Sequence, residues 1–208
     1  SEEYTHGTAW QGRKALVLGT GNSGHDIAQD LHANGAKVTM IQRSPTMVVN
    51  IEPSAQLPYA LYDEGPSLED CDLLAAATPL KVLRKTHQLV TEKAKELDKP
   101  LLDGLTKAGF ALDYGTDNTG WQFKYLERGG GYYFNVGCSD LIANGQIRLI
   151  QYRDIDQFIA SGVKLNHGEI IDADLLVTAT GYKGQHHLVT RLFGQDVAAR
   201  CGPIWGFD

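Results

Sequence analysis

The stretch from Leu16 to Gly24 reads LVLGTGNSG, a short apolar run that breaks into Gly-x-Gly-x-x-Gly. Glycines at this spacing, between a strand and a helix, cradle a pyrophosphate. Gly19 lets the chain turn sharply out of the strand. Gly21 has no Cβ, so a phosphate can approach its backbone, and Gly24 lets the following helix pack tightly on the strand. The first turn of that helix offers unpaired N–H groups and a partial positive charge. A second chemical choice stands at Gln42-Arg43-Ser44, at the end of the next apolar run. A dinucleotide fold places the adenine ribose there. A carboxylate at that point takes the ribose hydroxyls of NAD, whereas an arginine meets a 2′-phosphate bidentately. Arg43, with Ser44 as a hydroxyl donor, therefore reads as a choice of NADP(H).

A glycine signature alone is weak, so the elements that position it carry the reading. Ala15, Leu16, Val17 and Leu18 form a continuous apolar run, as expected of a strand buried on both faces. HDIAQDLHANGAKVTMIQR then reads as a helix and a second strand. Ile27, Ala28 and Leu31 share one helical face, Asn34-Gly35 closes the helix, and Val38, Met40 and Ile41 belong to the strand. The competing reading is a glycine-rich turn that holds no ligand, with Arg43 as an ordinary solvated side chain.

Composition sets outer limits. The 208 residues suit one large domain or one and a half, with hydrophobic residues at 42% and a formal net charge of −6. An acidic chain is a poor partner for nucleic acid. No apolar run approaches the roughly 18 residues of a membrane span, and no signal-peptide pattern is visible. Cys71, Cys138 and Cys201 are widely spaced and form neither a metal pattern nor a C-x-x-C pair. Reduced thiols in a cytoplasmic protein are the expectation. The start at Ser1 and the abrupt end at GPIWGFD suggest a piece of a longer protein.

Beyond the first unit, residues 45 to about 65 read as a loop and 66–110 as a helical insertion. Ser67-x-x-Asp70 resembles a capping box, and Thr78-Pro79 reads as an N-cap with proline at the first helical position. Leu83, Val90, Ala94 and Leu97 keep one apolar face, and Pro100 opens a further helix with Leu101, Leu102 and Leu105. The insertion reads first as a packing element and second as a wall of a substrate entrance. Residues 111–136 read as a loop whose Tyr132, Tyr133 and Phe134 fill core. Gly137 to Ala143 reads as a short helix and Ile147 to Ile150 as a third parallel strand. Three short segments broken at Ser161-Gly162 and Asn166-His167-Gly168 suggest a β-meander. Leu175 to Ala179 is a last buried strand, ending in Thr180-Gly181. Parallel sheets bind ligands at the carboxyl ends of their strands, so Thr180-Gly181 and Gly19–Gly24 belong on one edge. The expected architecture is α/β: a Rossmann-like, three-layer dinucleotide-binding domain over 1–181, with a parallel sheet, a β-meander and the helical insertion.

GTGNSGHDIAQDL, IQRSP, GYYFNVGCSDLIANGQIRLI and LLVTATGY, in this order, resemble the NADPH-binding domain of class B flavin-dependent monooxygenases. These are the flavin-containing monooxygenases and the YUCCA-like enzymes, and the resemblance covers nearly the whole chain. Ser1-Glu2-Glu3-Tyr4 resembles the end of the family's F-x-G-x-x-x-H-x-x-x-[YF] sequence, and the tyrosine suits flavin-containing monooxygenases better than Baeyer–Villiger enzymes. The resemblance implies an enzyme in which NADPH reduces FAD, the reduced flavin activates O₂, and one oxygen reaches a small organic substrate, often a nitrogen or sulfur nucleophile or a related group. Gly19, Gly21 and Gly24 are then the pyrophosphate turn, with Thr20, Asn22 and Ser23 as donors. Arg43 and Ser44 take the 2′-phosphate, and Thr180 and Gly181 match the family's A-T-G-Y segment where two dinucleotide domains meet.

The family's first glycine motif, which binds FAD, has no counterpart here. Arg128-Gly129-Gly130-Gly131 follows no apolar strand and does not replace it. The implied FAD domain is therefore missing, residues 182–208 lead back towards it, and this chain alone is expected to hold no FAD. His186-His187 has no further ligand at metal spacing and reads as surface, so no metal is expected. His25, in the first turn of the phosphate helix, reads as a cofactor contact or a solvent-facing residue. No catalytic acid or base stands out. Two other classes stay open: a disulfide reductase of the thioredoxin reductase type, which needs an absent C-x-x-C pair, and a non-catalytic NADP(H)-binding module.

Overall fold

A computed structural model describes residues 3–202 and 205–206. Four parallel strands form the central sheet: β1 (Lys14–Leu18), β2 (Lys37–Gln42), β5 (Arg148–Gln151) and β9 (Leu175–Thr178), in the order β5-β2-β1-β9. In register, Leu16 lies beside Thr39 and Leu176, and Ile41 beside Ile150. β1 and β2 are buried almost throughout, which is why they carry apolar runs instead of an alternating pattern.

Helices α1 (Asn22–Ala33) and α7 (Cys138–Ala143) cover one face. Ala15, Val17, Ala28, Leu31, Met40, Ile142 and Ile147 join there in the main core. The other face is covered by an antiparallel meander of β6 (Ile155–Ile159), β7 (Gly162–Leu165) and β8 (Ile170–Asp172). Leu16, Ile41 and Ile150 of the sheet pack there on Val163, Leu165 and Ile171. These are the three expected layers. α1 ends at Asn34, with Gly35 at φ +83°, the left-handed geometry that a helix C-terminus asks of glycine.

Two segments that read as loops carry structure instead. Residues 45–65 contain β3 (Met47–Asn50), a 3₁₀ turn (Ser54–Tyr59) and α2 (Ala60–Glu64). Within 111–136 lie α6 (Gly120–Arg128) and β4 (Tyr132–Asn135). β3 and β4 pair in parallel as a separate two-stranded ribbon, Val48 beside Tyr133. Their partners stand more than eighty residues apart in sequence, and glycine and tyrosine richness masked the short strand. Between them run α3 (Leu68–Ala77), α4 (Leu80–Leu97) and α5 (Lys99–Lys107). Ser67 Oγ accepts the Asp70 N–H at 3.3 Å, the expected cap. Pro79, not Thr78, occupies the N-cap of α4, because the Thr78 hydroxyl donates back to the Leu74 carbonyl at 2.7 Å. The buried face of α4 is His87, Thr91 and Ala94, while Leu97 is exposed.

Asp98 joins this region to the ribbon. Buried between α4 and α5, it accepts the Asn50 N–H and side-chain amide, each at 2.9 Å, and the Ser54 hydroxyl at 2.7 Å. Asn135 donates onward to Asn50 Oδ1 and Asp140. The remaining helices, α8 (Gln185–Phe193) and α9 (Gln195–Cys201), have no buried residues. His186 lies exposed on α8, and no cluster of three or more potential metal ligands occurs among the described residues. No helix there is long and apolar enough to cross a membrane.

Candidate functional site

At the carboxyl ends of β1, β2 and β9 the structure opens a cavity of about 420 Å³. Of the predicted site residues, Gly19, Thr20, Gly21, Asn22, Ser23, Arg43, Ser44, Thr180 and Gly181 all line it. Gly24 lies behind the lining, where the helix meets the turn.

The three glycines stand in different surroundings. Gly19 has φ +123°, and a Cβ there would stand 2.3 Å from the Ala179 carbonyl oxygen. A Cβ on Gly24 would stand 2.2 Å from the Gly19 carbonyl oxygen, so helix and turn close on each other. Around Gly21, by contrast, no atom lies within 4 Å of where a Cβ would be. The fold itself therefore leaves room for a side chain at Gly21. Gly21 is also the N-cap of α1 and supplies no side-chain cap. The first-turn N–H groups therefore face the cavity without a side chain of their own to satisfy them.

The side chains of the turn are partly committed. The Thr20 hydroxyl pairs with Thr46 Oγ1 at 2.8 Å, which ties the glycine turn to the loop after β2. Asn22 Oδ1 accepts the Phe134 N–H at 3.2 Å. Ser23 remains exposed on the rim. Arg43 and Ser44 are exposed too, and none of the ion pairs among the described residues engages Arg43. Gln42 points the other way. It is fully buried and grips residue 111 through both ends of its amide: Nε2 donates to the Ala111 carbonyl at 2.9 Å, and Oε1 accepts its N–H at 2.7 Å. The end of the insertion is thereby pinned beside the end of β2.

Sequence reasoning missed the opposite wall. Arg128, Gly129, Gly130, Gly131 and Tyr132 line the same cavity. Gly129 ends α6 at φ +67°, a left-handed C-cap, and turns the chain towards the cavity. Arg128 lies 3.3 Å from Asp113 Oδ2, which also takes an ion pair from the fully buried Lys124 ammonium. Burial alone would raise the Asp113 carboxyl. Hydrogen bonds from Lys124 and the Gly115 N–H, with the charges of Lys124 and Arg128, hold it below the usual carboxylate range. Burial pulls the Lys124 ammonium down, against the opposing pull of Asp113. The cavity lining holds two arginines and no carboxylate. The sequence signal for this wall is the basic residue ahead of a glycine run, but only the fold brings it to the cavity.

His25 is neither at the cavity nor in solvent. It is fully buried, stacked on Tyr133 with ring centroids 3.8 Å apart and planes 5° from parallel. Burial lowers its pKa to about 4, against the Gly21 and Thr20 carbonyls, which favour the charged ring. Nearby Cys138 is equally buried, and its thiol is pushed up to about 12, mainly by burial, so it is no nucleophile.

A family model described as flavin-binding monooxygenase-like matches residues 1–64; of these, Ser1 and Glu2 lie outside the described residues. The probable FAD-binding monooxygenase AlmA of Acinetobacter baylyi is 28% identical over 182 residues, 84% of this chain and 34% of that protein. Indole-3-pyruvate monooxygenase YUCCA1 of Oryza sativa subsp. japonica is 29% identical over 189 residues, 88% and 40%. Among solved structures, OTEMO in complex with FAD and NADP superposes with a TM-score of 0.56 at 13% identity, over 90% of this chain and 42% of that one. Epsilon-caprolactone-bound cyclohexanone monooxygenase gives 0.54 at 15%, over 86% and 42%. At such identities the likeness is one of fold. The chain spans 34–40% of the length of these two curated relatives.

Proposed function

We propose that this chain is the NADP(H)-binding part of a flavin-dependent monooxygenase. One observation carries the reading. Glycine turn, uncapped helix N-terminus, Arg43, Ser44 and Thr180-Gly181 converge on one cavity whose lining is cationic and free of carboxylates.

In this reading Gly19–Gly24 and the first turn of α1 hold the pyrophosphate through backbone N–H groups, with Thr20, Asn22 and Ser23 lining the grip. Arg43 and Ser44 bind the 2′-phosphate, and Arg128 adds a second cation from across the cavity. Thr180 and Gly181 border the place where the nicotinamide end leaves the domain. Bound NADPH supplies hydride to a flavin, and the protein binds, orients and shields it. FAD belongs to a domain outside this chain, to which residues 182–208 lead back. The complete enzyme then uses NADPH and O₂ to oxygenate a small organic substrate carrying nitrogen or sulfur. The dinucleotide domain itself is 1–181, with 66–110 as its helical insertion.

Calorimetric titration with NADP⁺ and with NAD⁺ tests the reading. The chain should prefer NADP⁺. Arg43→Ala should weaken NADP⁺ binding by roughly 1.5–3 kcal/mol, the scale of a hydrogen bond to a charged group, and leave NAD⁺ unchanged. Equal loss for both nucleotides, or binding of neither by the unaltered chain, would overturn it.

A further inference from the structure

His25 is the one buried ionisable side chain of the phosphate helix that the nucleotide reading leaves without a task. Its Nδ1 lies 3.2 Å from the Gly21 carbonyl oxygen, which also accepts the His25 backbone N–H at 3.1 Å. A carbonyl oxygen only accepts, so Nδ1 carries the ring proton and Nε2 is left with the lone pair. That Nε2 is buried and has no hydrogen-bond partner. Leaving a polar atom so is costly, and a phenyl ring, slightly larger, would offer the same stacking face to Tyr133 and Phe110 without that cost. What imidazole has and phenyl lacks is the proton on Nδ1.

We infer that His25 is a positioning residue for the phosphate turn: its Nδ1–H holds the Gly21 carbonyl inward and thereby keeps the Asn22 N–H turned to the cavity. The Gly21–Asn22 peptide is planar and trans, so its C=O and N–H point in opposite directions. Fixing one fixes the other. Two donors from one residue, the backbone N–H and the ring, grip the same oxygen and restrict rotation of the peptide plane more than one could. Stacking on Tyr133 holds the ring, and Tyr133 belongs to β4, on the insertion side of the ribbon. The orientation of the turn is thus set partly from the far region of the chain. Without the ring donor, the Asn22 amide would sample orientations that do not face a phosphate, and the nucleotide would have to order it on binding. The inference rests on the nucleotide reading above.

Two substitutions separate positioning from packing. His25→Phe keeps the ring and removes the donor. His25→Asn keeps a donor where Nδ1 stands and removes the stack. NADP⁺ affinity, the melting temperature without nucleotide, and the Asn22 amide resonance without nucleotide are read on all three chains. His25→Phe should melt at or above the unaltered chain, shift the Asn22 resonance, and bind NADP⁺ about tenfold more weakly, the equivalent of one lost hydrogen bond. His25→Asn should melt lower yet keep the resonance and an affinity within about threefold. Affinity that follows melting temperature in both variants, or an unmoved Asn22 resonance in His25→Phe, overturns the inference. If the unaltered chain binds no nucleotide, the functional reading fails, while the resonance arm still decides what His25 does. If His25→Phe does not fold, the resonance in His25→Asn decides: kept despite the lost stack supports the role, moved refutes it.

Discussion

The two walls of the cavity are built on different physical principles. The wall formed by β1, α1, β2 and β9 is fixed by backbone: glycines stand where a Cβ would meet a carbonyl oxygen at 2.2–2.3 Å, and parallel register does the rest. The wall formed by the end of α6 and the β3–β4 ribbon is fixed by side chains. Asp98 gathers Asn50 and Ser54, Gln42 clamps Ala111, and Asp113 bridges Lys124 and Arg128. A backbone-determined wall tolerates no added atom but asks little of particular side chains. A network-determined wall tolerates added atoms but fails when one charged or polar partner is lost.

The glycines offer the largest test of this contrast. Gly24→Ala forces a Cβ into the Gly19 carbonyl, and Gly19→Ala adds left-handed strain to a similar clash. Gly24→Ala should cost roughly 1–3 kcal/mol from overpacking, and Gly19→Ala, with backbone strain added, roughly 3–4 kcal/mol. Gly21→Ala, with open space around it, should leave the unfolding free energy within about 0.5 kcal/mol of the unaltered chain and abolish NADP⁺ binding. If Gly21→Ala unfolds as readily as Gly24→Ala, the distinction between fold glycines and a ligand glycine is lost.

On the other wall the same experiment is done with charge. Asp113→Asn leaves the Lys124 ammonium buried beside a neutral partner and should cost about 3 kcal/mol. Lys124→Met removes the buried charge itself. Asp113, one-third exposed, keeps Arg128 and the Gly115 N–H, so the cost should stay below about 1 kcal/mol. Urea midpoints at constant slope give both numbers. Equal costs would mean that the pair acts as packing and that the second wall is not held by its charges.

This division also explains what could be read in the sequence. Gly19, Gly21, Gly24 and the apolar runs of β1 and β2 are local signals, since their partners lie within one strand–turn–helix unit. Arg43 was legible because the fold prescribes its position at the end of β2. Arg128 was not, because its place at the cavity depends on a ribbon that pairs Met47 with Tyr132. His25 was misplaced for the same reason. Its surroundings, Tyr133 and Phe110, come from segments that carry no helix or strand periodicity, so nothing nearby in sequence announces a buried ring. Gln42 looked like a neighbour of the cofactor, yet its amide serves Ala111, 69 residues away.

The two buried histidines set the walls against each other in acid. His25 lies on the backbone-built side and His87, on α4, on the network side, and burial lowers the pKa of both. In the unfolded chain each titrates near 6.5. As pH falls below that value the unfolded state takes up a proton that the folded state refuses, so stability drops. For His25 the loss runs from about pH 6.5 down to about 4 and amounts to on the order of 3 kcal/mol. Asp113 adds loss at lower pH, because its carboxyl is held below the normal range and must be protonated there. His25→Phe should therefore flatten the decline in unfolding free energy between pH 6.5 and 4.5, measured by urea titration at each pH. Amide exchange at pH 4.5 then shows which wall opens first. If His25→Phe and the unaltered chain decline in parallel, the ring is not held neutral in the fold, and the acid sensitivity belongs to the insertion.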